Sequence, residues 1–143
     1  MNYRLKFLLI FISVIVVDQV IKYIFTHGFR LDGNCISLVL AYNKGVAFSM
    51  FAFLGEYLKY LQISLIIGVV IYLFFKKDLL MEYHISAALI LAGGISNIVD
   101  RFFREGVVDY VYWHCGFDFA IFNFADVMID LGVLLILLKS FKK

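Results

Sequence analysis

The sequence predicts an all-α membrane protein, a four-transmembrane-helix bundle, with a small extracytoplasmic sheet or amphipathic cap on its outer face. Three observations carry that expectation. Of the 143 residues, 64% are hydrophobic and 18% aromatic, and the mean hydropathy is +0.94. A water-soluble domain of this length has no interior for so much apolar surface, so lipid must cover the excess. The apolar residues also fall into four runs of near-membrane length, and proline, the strongest helix breaker, is absent. The length predicts a single integral membrane domain over 1–143.

The expected spans are 7–25, 57–75, 84–100 and 123–139. A spanning helix needs about 17–25 mostly apolar residues. The first two runs qualify outright, whereas the last two are short unless their polar ends lie within protein or at the interface. The first run follows the basic "MNYRLK" as a signal peptide would, but Asp18 interrupts it and no small-residue cleavage site follows. It is read as a retained span. Arg4 and Lys6, Lys76 and Lys77, and Lys139, Lys142 and Lys143 flank the cytoplasmic ends under the positive-inside rule, which places both termini in the cytoplasm. The extracytoplasmic segments are then 26–56 and 101–122. Both contain strand-like stretches, "ISLVLAYNKGVAFSMF" and "GVVDYVYWHCGFDFAIF", rich in β-branched and aromatic residues.

A formal net charge of +2 with no basic block predicts no nucleic-acid partner. The two cysteines, Cys35 and Cys115, form neither a CxxC pair nor a metal spacing. They are read as separate reduced thiols, although both could pair if they face an oxidising compartment. His114 lies beside Cys115, but no second ligand pair has a fitting spacing, so neither metal nor cofactor is expected.

Asp18, Asp100, Asp126 and Asp130 lie in or at the end of spans, where a charge costs about 2.5–3.5 kcal/mol at the bilayer centre. All fall toward the outer half. Each also has a purely structural explanation. Asp18 and Lys22 are an i, i+4 helix pair. Asp100 beside Arg101 reads as a terminal ion pair or interfacial anchor. Asp126 opens the last span and complements its dipole. Asp130, one turn on, can hydrogen-bond a neighbouring helix. Asp109, alone in an outer segment, would ordinarily face solvent. Asn43, Asn97 and Asn123 lie near glycines or acids and can orient a carboxylate or bind a peptide backbone. Gly93 and Gly94 permit close helix approach. Two carboxylates held together share one proton near neutral pH and hydrolyse a peptide bond without metal or covalent intermediate. Spacing alone leaves open whether Asp109 and Asp126 meet.

Five pieces occur in one order: "DQVIK", "YNKGVAFS", "GGISNIVDR", "GVVDYV" and "FNFAD". In these, nearly along its whole length, the chain resembles lipoprotein signal peptidase (signal peptidase II), the bacterial aspartic peptidase family of the inner membrane. The resemblance implies four transmembrane helices, makes the sheet or cap a small extracytoplasmic β-cradle, and adds an extracytoplasmic helix or loop closing over the site. It implies a diacylglyceryl-prolipoprotein substrate, cut on the N-terminal side of the lipidated cysteine. It also implies contact with membrane lipids and sensitivity to globomycin-type cyclic peptides. By motif, the catalytic dyad is Asp109 and Asp126. Asp18, Lys22, Asn43, Gly45, Asn97, Asp100, Arg101, Asn123 and Ala125 match positions that line or support the site. Ser96 stands where the family usually has glycine, which predicts looser helix packing there. Asp130 lies outside the motif, where it could raise the pKa of Asp126 or bind a neighbouring helix, and 113–120 follows no family pattern. The alternative is a small non-enzymatic ion- or proton-translocating subunit. It needs a polar path across the bilayer. The second span offers only Gln62 and Ser64 as uncharged polar residues, and the inner half of the fourth offers none before Lys139.

Overall fold

Every apolar run is helical. The computed structural model describes residues 2–45 and 51–141, in the order α1 (Tyr3–Thr26), β1 (Ile36–Asn43), a 3-10 turn (Ala52–Leu54), α2 (Tyr57–Phe75), α3 (Lys77–Phe103), β2 (Val107–Trp113) and α4 (Phe124–Ser140). Asn2 caps α1 by accepting from the Arg4 backbone N–H at 3.1 Å, so Arg4 and Lys6 fall inside the helix rather than before it. α2 matches its expected span and fully buries only Leu58, leaving most of its apolar side chains exposed. Among the described residues, α1, α2 and α3 are long and apolar enough to cross a membrane. At 17 residues, α4 is shorter.

The third helix departs most from expectation, covering 77–103 instead of 84–100. Its backbone leaves helical geometry at Tyr83 (φ −111°, ψ 22°), one residue before the apolar run begins. The stretch from Lys77 to Glu82 is helical but polar, so hydropathy excluded it. At the other end the helix continues through Arg101 to Phe103, and the Arg104 N–H bonds the Asp100 carbonyl at 2.7 Å.

α3 is the central element, packed against α1, α2 and α4. Helices in lipid gain little from hiding apolar surface from one another, so close backbone approach at small residues carries their association. A Cβ on Gly93 would lie 2.6 Å from the Ala125 carbonyl oxygen of α4. One on Gly94 would meet only the end of the Ile66 side chain on α2, at 3.2 Å. Gly93→Ala is therefore expected to lower the melting temperature in detergent, through overpacking of about 1–3 kcal/mol. Gly94→Ala is expected to be near neutral. Equal melting of the two variants would refute this division of roles. Val14, Leu89 and Ala92 form the core where α1, α3 and α4 meet.

β1 and β2 pair antiparallel from Ile36 opposite Trp113 to Asn43 opposite Val107, with an irregularity between Leu38 and Ala41. The strands are shorter than the strand-like stretches. Val46–Met50 of the first lies outside the described residues, and beyond Trp113 only an isolated bridge pairs Phe122 with Val111. The ribbon rests on the end of α1, where Phe25 stacks on Tyr110 with ring centroids 4.3 Å apart and Val108 is fully buried.

Cys35 and Cys115 are joined as a disulfide, which corrects the expectation of separate thiols. The reason is the ribbon's register. The ladder runs past Ile36–Trp113, and the His114 N–H bonds the Cys35 carbonyl at 2.9 Å. The two Cα atoms end 4.4 Å apart despite a sequence separation of 80. The imidazole of His114 contacts the Ser37 hydroxyl at 2.9 Å.

Candidate active site

Three elements deliver the acids to one end of the bundle. Asp109 lies on β2, opposite Ala41. Asn43, two residues along β1, is its diagonal neighbour and donates from Nδ2 to Asp109 Oδ2 at 3.1 Å. Phe122 folds back onto β2, its N–H bonding the Val111 carbonyl at 3.1 Å. The next residue, Asn123, therefore starts α4 beside Asp109. Asn123 and Asp126 form a reciprocal capping box: the Asp126 N–H donates to Asn123 Oδ1 at 2.9 Å, and the Asn123 N–H donates to Asp126 Oδ2 at 3.1 Å.

Asn123 joins the two acids. Its Nδ2 donates to Asp109 Oδ1 at 2.6 Å while its backbone holds Asp126. Asn97 of α3 supplies a second amide, donating to Asp126 Oδ1 at 2.9 Å and accepting from Asn123 Nδ2 at 3.2 Å. Asp109 is only 2% exposed, against the expectation that a lone acid in this segment faces solvent. Burial, and after it the charge of Asp126, raise its pKa from the ordinary carboxylate range to about 7. The Asn43 and Asn123 hydrogen bonds and the charge of Lys22 oppose that rise without cancelling it.

Beneath the acids lies a buried charge cluster. Lys22 Nζ, with no exposure, sits 2.7 Å from Asp18 Oδ2, 2.7 Å from Asp100 Oδ2 and 2.8 Å from Asn97 Oδ1. Asp100 also pairs with Arg104. The expected Asp100–Arg101 pair does not form. Adjacent helical residues point apart, whereas i, i+4 residues stack. Arg101 instead donates to the carbonyls of Asn43, Lys44 and Gly45, gripping the end of β1. Its Nε is buried without a partner among the described residues. The Gly45 N–H bonds Asn43 Oδ1 at 2.9 Å, and the Ala125 N–H bonds Asp18 Oδ1 at 2.9 Å.

A cavity of about 320 Å³ opens over this assembly, lined by Asn43, Asn97, Arg101, Asp109 and Asp126, and also by Gln62 and Asp130. All eleven residues singled out from sequence thus belong to one connected network. Among the described residues, no three His, Cys, Asp or Glu side chains are grouped to hold a metal ion.

Residues 10–142 match the family model described as Signal peptidase (SPase) II. The chain belongs to the signal peptidase II family. It is 58% identical over 130 residues to a lipoprotein signal peptidase of Sulfurimonas denitrificans, covering 91% of this chain and 84% of that one. It is 53% identical to the lipoprotein signal peptidase of Helicobacter pylori, over 96% of this chain and 87% of that one. Two solved structures of a bacterial membrane enzyme superpose with TM-scores of 0.79, at 28% and 27% identity. They match 96% of this chain, and 88% and 94% of their own.

Within this signal peptidase II fold, sequence reasoning missed three polar residues. Ser96, expected to loosen helix packing, is fully buried and ties α3 to α1 instead. Its hydroxyl donates to Asp18 Oδ2 at 2.7 Å and accepts from Gln19 Nε2 at 2.9 Å. Gln19 also donates to Asp100 Oδ1 at 3.1 Å and accepts from Arg104 at 3.0 Å. Gln19 and Ser96 are uncharged, so a search for costly charges in apolar runs passed over them. Arg104 was detectable as the i+4 partner of Asp100.

Proposed function

We propose that this chain is a membrane aspartic endopeptidase that removes the signal peptide from diacylglyceryl-modified prolipoproteins, cutting on the N-terminal side of the lipidated cysteine. One observation carries the reading: Asp109 and Asp126 are bridged by Asn123 at a single cavity in a chain of the signal peptidase II family. The whole chain acts as one domain with four crossings in the bacterial inner membrane, both termini cytoplasmic. α4 contributes the fourth crossing. Its 17 residues span about 26 Å, close to the hydrocarbon thickness of about 30 Å. The ribbon and cavity then lie at the outer face. The lipid anchor of the substrate stays in the bilayer while the scissile bond reaches headgroup depth.

The chemistry needs no covalent intermediate. The pair holds one proton between its two acids. The ionised carboxylate takes a proton from water as the water oxygen attacks the scissile carbonyl carbon. The protonated one gives its proton to the carbonyl oxygen. Collapse of the gem-diol transfers a proton to the amide nitrogen and breaks the C–N bond. The signal peptide leaves with a carboxyl group and the lipidated cysteine with a free amine. Asn43, Asn97 and Asn123 orient the carboxylates. Arg101 and Gly45 hold the β1 edge of the cavity, and Asp18, Lys22, Asp100 and Ala125 support it from below. Globomycin-type cyclic peptides are expected to compete for the same cavity.

The test is incubation of detergent-purified protein with a diacylglyceryl-modified prolipoprotein and with its unmodified form, each with and without EDTA. Signal-peptide release from the modified form alone, unaffected by EDTA, is the expected result. An inactive protein on a verified substrate would overturn the reading and favour the ion-translocating alternative. The pH profile follows from Asp109. With its pKa near 7, kcat/KM is expected to fall as pH rises through about 7, when the acid partner loses its proton. The sign for stability is the same. Between the ordinary carboxylate pKa and about 7 the folded state holds a proton that the unfolded state has lost, so stability falls as pH rises across that window. Asp109→Asn is expected to flatten the fall, measured by melting temperature against pH.

A further inference from the structure

The cavity does not end at the two acids. Asp130 lies one turn along α4 from Asp126, about 6 Å deeper along the helix axis, and lines the same cavity. It makes no hydrogen bond or ion pair among the described residues, so the expected bond to a neighbouring helix is absent. Gln62 of α2 lines the same cavity, and its Oε1 is buried and has no partner among the described residues. The protein thus leaves two acceptors on the lining of one cavity unsatisfied, the exposed Asp130 carboxylate and the buried Gln62 Oε1, beside Ile129. Buried unpaired acceptors and intramembrane carboxylates are both costly, and their retention marks a place where a donor arrives. α2 packs on α3 and not along α4, so this part of the cavity lies between two helices that do not close on each other.

A signal peptide has few side-chain donors near its cleavage site if it is apolar, but every residue except proline has a backbone N–H. Inside a helix those groups are satisfied. Cleavage requires an extended segment at the scissile bond, and the N–H groups of that segment are then unpaired at membrane depth, each costing several kcal/mol. We propose that Asp130 and Gln62 form a backbone-binding subsite on the signal-peptide side of the scissile bond, accepting hydrogen bonds from N–H groups of the unwound substrate. The subsite reads no sequence. It sets how far the signal helix must unwind and in which register the chain meets the two acids. The inference rests on the peptidase reading above.

Kinetics on diacylglyceryl-prolipoproteins, together with a scan in which single peptide N–H groups N-terminal to the cleavage site are methylated, test it. Asp130→Leu and Gln62→Leu are each expected to raise KM about tenfold with kcat within about twofold of wild type. Asp130→Asn, which keeps a carbonyl acceptor, is expected to stay within about threefold. At one or two positions, methylation is expected to raise the wild-type KM by a similar factor and to have no further effect on Asp130→Leu. A purely structural role would shift melting without producing that pairing. Wild-type KM in both leucine variants, or a scan with no position whose effect disappears in a variant, overturns the subsite. The scan on wild type and on Asp130→Asn decides the matter even if a leucine variant fails to fold, since no sensitive position means no subsite. Failure of the peptidase reading is distinguishable, because wild type would then cleave none of these substrates.

Discussion

Asp126→Asn is expected to abolish signal-peptide release while leaving the protein inserted and folded. The amide has the shape of the carboxyl group, and its oxygen can still accept one of the two bonds now made by Asn97 Nδ2 and the Asn123 N–H. The start of α4 therefore survives. What disappears is the carboxylate that takes a proton from water and returns it to the leaving amine. General acid–base groups contribute about 10²–10⁴-fold each, and here one group serves both the attack and the collapse. A loss of kcat of at least about 10³-fold is the expected magnitude. Asp109→Asn should match it, and the double variant should be little worse than either, because groups that act as a unit do not add. Gel analysis of single turnovers on lipid-modified prolipoprotein, beside a detergent melting curve for each variant, separates chemistry from folding. Normal turnover by Asp126→Asn would end the aspartic assignment. If only one of the two variants lost activity, the chemistry would stand and the pairing of these two acids would be wrong.

The helices and the acids themselves were legible in the sequence, because hydropathy and the price of a charge in lipid are both local properties. Asp18 and Lys22 could be paired on paper because i, i+4 is a helix neighbour relation. The role of Asp109 could not be found this way. Its burial depends on β1 meeting β2 in one register and on Phe122 turning back to β2. Those contacts join distant parts of the chain, and only the family resemblance anticipated them. The disulfide was hidden for the same reason, since the ribbon register that joins Cys35 to Cys115 has no local signature. Ser96 was misread for a different reason. A small residue at a helix contact suggests packing, and only the position of Asp18 on α1 turns its hydroxyl into a link. The start of α3 was misplaced because membrane-depth hydropathy begins at the Tyr83 kink while helical hydrogen bonding begins earlier.

Lys22→Met is expected to cost both stability and activity, and the reason lies in what its two carboxylate partners do with their remaining atoms. Asp18 accepts from the Ala125 N–H through Oδ1, fixing the backbone immediately before Asp126. Asp100 accepts from the Val108 N–H through Oδ2 at 3.2 Å, fixing the backbone immediately before Asp109. Lys22 stands between the two, and its third contact goes to Asn97, which in turn donates to Asp126. One ammonium thus satisfies three acceptors and ties the supports of both acids together. Methionine fills a similar volume but leaves two fully buried carboxylates short of their shared cation. Breaking a buried pair in this way costs about 3–5 kcal/mol, far more than an exposed bridge is worth. Melting in detergent should fall markedly, and any folded fraction should turn over slowly because both acids have lost their anchors. Adding Asp18→Asn to Lys22→Met leaves Asp100 paired with Arg104 and removes the uncompensated charge, so it should recover much of the melting temperature, but not the activity, because the hub joining the two backbones remains absent. A Lys22→Met variant that melts and cleaves like wild type would show that the two acids are positioned by the amide network alone. A double variant that recovers activity along with stability would show that Lys22 serves charge balance and nothing more.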